Sequence, residues 1–228
     1  MSLYLLLNIA SLSIPFIYSF EKRMHFIKWW KEVFLSISIV AIVFIIWDII
    51  FTNIGVWGFN EKYLTGINLV NLPIEEWLFF ICIPYASIFT HYAISYFFPR
   101  LVLSWKSARS ISLMLIIILS FVILFNTDKA YTLINYGLLL FVLLYIVITR
   151  NEVIRTFYIS FLVILIPFFI VNGILTGSFI DEPVVWYNNN ENLGIRLGTV
   201  PIEDIGYAFS LIISSIILIE KFKNKKKN

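Results

Sequence analysis

The sequence is short of most of what a soluble enzyme uses. Among 228 residues there is one cysteine, there are two histidines, and charged residues make up only 14%. The lone cysteine, Cys82, excludes an internal disulfide. His25 and His91 stand far apart and form no pair at metal spacing, which argues against a histidine-rich di-iron membrane oxidase. There is no glycine-rich dinucleotide fingerprint, no phosphate loop and no Ser-His-Asp candidate, so no cofactor or metal is expected. A net charge of +3 carries little weight for nucleic acid, and none is expected as a partner. His91 reads as an interfacial or packed residue and His25 as a solvated one.

What is present is hydrophobicity. Apolar residues are 60% of the chain and mean hydropathy is +0.90, far outside soluble usage. Seven apolar stretches stand out, at about 2–20, 33–52, 73–98, 109–126, 131–149, 155–176 and 202–220. Most approach the roughly 20 residues a helix needs to cross a bilayer. None alternates as a barrel strand would, so the class is all-α, an integral membrane bundle of seven helices. The first stretch has neither a basic leader nor an obvious cleavage site and reads as a retained span. Pro84 is expected to kink the third.

Basic residues set the expected orientation. The connections after stretches one, three and five, with the C-terminal tail, hold 14 of the 17 Lys and Arg residues. The other connections hold only Lys62, Lys129 and Arg196. The positive-inside rule then puts the N-terminus outside and the C-terminus in the cytoplasm. The Lys221–Lys227 tail reads as an anchor against anionic lipid. Abundant Ile, Lys and Asn point to an AT-rich genome, and the expected location is the inner membrane of a bacterium.

One feature breaks the apolar pattern, and it occurs twice. Residues 66–76 read Gly-Ile-Asn-Leu-Val-Asn-Leu-Pro-Ile-Glu-Glu, and residues 194–204 read Gly-Ile-Arg-Leu-Gly-Thr-Val-Pro-Ile-Glu-Asp. Upstream, Trp47-Asp48-Ile49-Ile50-Phe51-Thr52 aligns loosely with Val171-Asn172-Gly173-Ile174-Leu175-Thr176, and Trp57 and Trp186 follow. Stretches one to three thus correspond to five to seven: residues 1–98 and 131–228 form two parallel repeats, with a spacer helix and loops at 99–130. Both acidic pairs fall at the outer ends of helices, with Asp48 and Asn172 at similar depth.

Proline at the first helical position and acids in the first turn suit any helix start. Carboxylates bordering hydrocarbon are costly, however, and a pattern made twice favours function. Adjacent acids lie about 100° apart, so one of each pair can face a cavity while its neighbour makes structural hydrogen bonds. Glu75 and Glu203, the identical pair, are preferred for the chemistry on sequence grounds, ahead of Glu76 and Asp204. Replacing either with glutamine is expected to stop turnover without loss of membrane expression. In a shared apolar pocket one carboxyl can keep a proton and donate it while an ionised partner accepts one. Phe79, Phe80 and Tyr207, one turn below the acids, offer ring faces to a cation.

These residues resemble the lycopene cyclase domain family of small membrane carotenoid cyclases, in its fused form. The resemblance rests on Trp57, Phe59, Asn60, Gly66, Leu72-Pro73-Ile74-Glu75-Glu76 and Phe79-Phe80. It rests equally on Trp186, Tyr187, Gly194 and Val200-Pro201-Ile202-Glu203-Asp204. It implies a lipophilic carotenoid substrate and acid/base and cation-stabilising roles for Glu75, Glu76, Glu203 and Asp204; a cavity within the bilayer with entry from the lipid suits such a substrate, and depth and helix spacing set Asp48, Phe79, Phe80, Asn172 and Tyr207 against it. The implied reaction is an isomerisation: protonation of an end double bond, ring closure through a carbocation, and proton loss. Asp204 in place of glutamate shortens one reach by a methylene. Association with other carotenoid enzymes fits the same resemblance. The alternatives are another end-group enzyme such as a hydratase, a scaffold that holds carotenoid, and a small-solute transporter of 3+1+3 design.

Overall fold

The computed structural model describes residues 2–225; Lys226 and Lys227 of the basic tail lie outside the described residues. Apolar runs become helices because a backbone in hydrocarbon must satisfy its own polar groups. The helices are α1 (Leu3–Tyr18), α2 (Trp30–Asn53), α3 (Ile74–Phe97), α4 (Trp105–Leu124), α5 (Ala130–Thr149), α6 (Val153–Leu175) and α7 (Glu203–Lys225). Six are long and apolar enough to cross a membrane; α1, with 16 residues, is shorter. Pro84 lies within α3, which continues past it to Phe97. The outer flanks of α2, α4 and α6 expose Ile42, Ile46, Phe121, Leu124, Leu162 and Ile166, the surface expected to meet lipid tails.

The two halves are interlocked. Within each, the first helix packs on the third, α1 on α3 and α5 on α7. Between them, each second helix packs on the other half's third, α2 on α7 and α6 on α3. The spacer α4 lies against α5 and α6. In lipid such contacts depend on close packing rather than on hydrophobic burial. Gly206 illustrates this: a Cβ there would sit 3.1 Å from the Tyr136 ring, so glycine lets α7 approach α5.

Short strands in the loops at the acidic ends record the same pseudo-symmetry. β1 (Trp57–Phe59) pairs antiparallel with β4 (Val185–Tyr187), joining the two halves. Its register, Trp57 with Tyr187, Gly58 with Trp186 and Phe59 with Val185, maps onto itself under the 128-residue offset. Under that register Trp57 answers to Val185 and Trp186 to Gly58, so the two tryptophans are not equivalents. Gly58 lies under the Trp186 ring, where a Cβ would come within 2.3 Å of a ring carbon. The hairpins β2 (Asn68–Leu69) to β3 (Leu72–Pro73) and β5 (Arg196–Leu197) to β6 (Val200–Pro201) are paired identically. Each turns through a left-handed residue, Val70 in one copy and Gly198 in the other. The hairpins aim the chain into α3 and α7 and so fix where the acids sit.

Candidate active site

The two acids of each pair take different directions from the first turn of their helix. Glu75 is fully buried and works as a clamp. Its Oε1 accepts from the Thr65 backbone N–H and from the Ser2 hydroxyl, both at 2.7 Å, while its own carbonyl accepts from Asn8 Nδ2 at 2.8 Å. Glu203 repeats the arrangement. Its Oε1 accepts from the Leu193 N–H and the Thr132 hydroxyl at 2.7 Å, and its carbonyl accepts from Asn135 Nδ2 at 2.6 Å. Neither lines the cavity described next. Both tie a loop and the first helix of their half to the start of the third.

Their neighbours Glu76 and Asp204 face a cavity of about 450 Å³, and Asp48 joins them. All three carboxyls are buried. Asp48 Oδ1 accepts from Trp57 Nε1 at 2.5 Å and more weakly from the Thr52 hydroxyl at 3.4 Å. Its other oxygen has no hydrogen-bond partner among the described residues, and the Glu76 carboxyl lines the same cavity. Glu76 Oε2 in turn accepts from the Tyr4 phenol. Asp204 is held by two phenols, Tyr131 on Oδ1 at 2.5 Å and Tyr187 on Oδ2 at 3.1 Å. Burial, then the neighbouring Asp204 carboxylate, push the Tyr187 phenol well above its ordinary range, so it stays a donor.

Aromatic faces enclose these acids. Tyr131 and Tyr187 stack at 5.8 Å, and Trp57 meets the Tyr131 ring edge-on at 5.1 Å. Away from the acids the wall turns mostly apolar, with Leu7, Ile14, Ile83, Ile164, Phe168 and Leu211 among its residues and the hydroxyls of Ser11, Ser87 and Thr90 between them. The cavity follows α3 from Glu76 to Thr90, about 21 Å at 1.5 Å per residue. Four of its lining residues, Ala10 and Ile14 on α1 and Pro167 and Ile170 on α6, are also exposed at the surface. The cavity therefore opens sideways between α1 and α6.

Of the other residues singled out by sequence, Phe79, Asn172 and Tyr207 line the cavity. Phe80 is not among the lining residues; it is buried in the core with Trp47, Leu72 and Leu211. His91 is buried on α3, with Nδ1 2.6 Å from the Ser160 hydroxyl. Among the described residues no cluster of His, Cys, Asp or Glu has the spacing to hold a metal. Sequence reasoning gave no site role to Tyr4, Asn8, Tyr131, Asn135 or Tyr187, although Tyr187 stood among the residues that carry the resemblance. The signal for four of them was present: Tyr4 and Asn8 are four apart on an apolar helix, and Tyr131 and Asn135 repeat that spacing. Polar residues one turn apart in two otherwise apolar helices continue the acidic repeat upstream.

Comparison with known proteins agrees with this pseudo-symmetry. A family model described as lycopene cyclase matches residues 1–94 and residues 128–222. No curated protein and no solved structure matches the chain.

Proposed function

We propose, since the chain belongs to the lycopene cyclase family, that its cavity closes the end group of a linear carotenoid by proton transfer between buried carboxyls. Carotenoid cyclisation in general, on a lipophilic substrate, is the family's activity. The finer reading is carried by one observation: Asp48, Glu76 and Asp204 are the only charged side chains among the described residues that line a cavity whose wall is mostly apolar and aromatic.

The environments of the three acids divide the work. Asp48 and Glu76 line the same end of the cavity, and a proton shared by two such buried carboxyls would relieve their repulsion and supply the unpartnered Asp48 oxygen with a donor. That pair is the acid. Its proton adds to the terminal double bond of the carotenoid and leaves a tertiary cation. The neighbouring double bond then attacks and closes a six-membered ring, moving the positive charge into it. Asp204, kept as an acceptor by the Tyr131 and Tyr187 hydroxyls, takes a proton from the new ring. Trp57, Tyr131, Tyr187 and Phe79 present π-faces to the cation, an attraction that strengthens where water is excluded. One proton enters and one leaves, so the product is an isomer of the substrate and no electrons are exchanged.

The side opening between α1 and α6 supports entry of the end group from the bilayer, with the rest of the polyene left among the lipid tails. The distribution of basic residues supports an orientation with the acids toward the outer face and the C-terminus in the cytoplasm. Residues 1–98 and 131–228, with 99–130 between them, act in this reading as one catalytic unit, because both halves supply acids to the same cavity. The test is expression in a bacterium that accumulates lycopene, followed by chromatography of the pigments. Ringed products are expected; unchanged lycopene, with the protein in the membrane and other linear carotenoids equally untouched, would sink the reading.

A further inference from the structure

Two halves related by a pseudo-two-fold axis should make two cavities, yet the walls described above are one-sided. From the second half's first helix, α5, the cavity takes only Tyr131, and from α2 only Asp48. From their counterparts α1 and α6 it takes long stretches, including Leu7, Ile14, Phe168 and Val171.

The register of the repeat identifies what differs. Tyr4 and Tyr131 are equivalent, as are Glu76 and Asp204, and as are Phe79 and Tyr207, while the end of α2 and the end of α6 set Trp47 against Val171. Beside the first half's Tyr4 and Phe79, whose rings are 6.2 Å apart, Val171 of α6 packs in the same cluster, and open space remains next to them. At the corresponding place, on the α2 side of Tyr131 and Tyr207, aromatic rings pack together instead. The Trp47 ring lies 5.0 Å from Tyr207, 6.3 Å from Tyr131 and 5.4 Å from Phe51, and Phe44 closes on Tyr207 at 4.9 Å. The buried Trp47 indole N–H has no acceptor among the described residues, so the side chain is suited to that place by its volume rather than by a hydrogen bond.

We propose that Trp47 closes the second of two pseudo-equivalent end-group sites, so that one chain holds one carotenoid end at a time. If both ends of a carotenoid become rings, they do so in separate binding events with release of a one-ringed intermediate. This inference rests on the carotenoid reading of the cavity but adds a number and a residue to it. Asp48 standing where the other half has Asn172 fits the same division, because the extra acid is spent on the open cavity.

The experiment loads purified full-length protein in lipid nanodiscs with lycopene and measures bound carotenoid per chain by absorbance. Wild type and Trp47→Phe are expected to hold one, and Trp47→Val two. In a parallel time course with limiting wild-type protein and lycopene in vesicles, free one-ringed product is expected to peak before any two-ringed product appears. Two carotenoids on the wild-type chain, or two-ringed product with no free intermediate, overturns the inference while leaving the functional reading standing. A folded Trp47→Val chain that still holds one removes Trp47 as the plug. A wild-type chain that binds no linear carotenoid overturns the functional reading and this inference together. The wild-type measurements decide even where the valine variant does not fold.

Discussion

At the scale of residues, the adjacent acids are separated by the 100° step of the helix into two occupations. Glu75 and Glu203 bond loops and first helices, whereas Glu76 and Asp204 meet the cavity. The repeat itself does not distinguish these roles, since Glu75 and Glu203 coincide most closely in sequence. The preference drawn from sequence thus falls on the pair that the structure sets behind the cavity wall. Two predictions separate the roles. Asp204→Asn removes the proposed proton acceptor while keeping the shape and should lower turnover by about 100-fold or more, a loss in the range of one general base. Membrane expression should be unchanged, which pigment analysis alongside immunoblotting checks. Glu75→Gln keeps an acceptor for the Thr65 N–H and the Ser2 hydroxyl but replaces the other oxygen with a buried donor. It should retain turnover within a few-fold and lose about 1–3 kcal/mol of stability, read as a lower thermal midpoint in detergent.

Among the elements, the helices were the legible part. Their ends follow from the limits of the apolar runs: α5, expected at 131–149, is Ala130–Thr149, and α3, expected at 73–98, is Ile74–Phe97. The strands were not legible, because two- and three-residue strands give no periodic signal and β1 finds its partner across more than half the chain. The same limit hid Tyr187, which reaches Asp204 from β4. The turn before β3 contains a readable conflict. Val70 is β-branched, exposed and left-handed, at φ 60°, where its counterpart is Gly198 at φ 65°. A side chain costs about 1–2 kcal/mol in that region, partly offset by the greater freedom glycine has when unfolded. Val70→Gly should therefore raise stability by up to about 1 kcal/mol, seen as a higher thermal midpoint with turnover unchanged.

For the whole molecule, the repeat predicts two similar halves but not how they are joined. Nothing local in α2 says that it packs on α7, nor in α6 that it packs on α3. Interlocking makes the cavity a joint product, with Glu76 from one half and Asp204 from the other. It also predicts that neither half is stable alone. Residues 1–98 expressed without the remainder should be degraded, and co-expression with residues 99–228 should restore both pieces to the membrane, as immunoblots of each would record. The cavity is open between α1 and α6, the shape that the proposed entry of a polyene end from the bilayer requires.

The most direct test of the account compares the pigments of lycopene-accumulating cells that express wild type, Glu76→Gln and Glu75→Gln at matched membrane levels. The account predicts ringed carotenoid from wild type and Glu75→Gln, and linear lycopene alone from Glu76→Gln. Ring formation by Glu76→Gln, with none by Glu75→Gln, would contradict it and return the chemistry to the buried clamps.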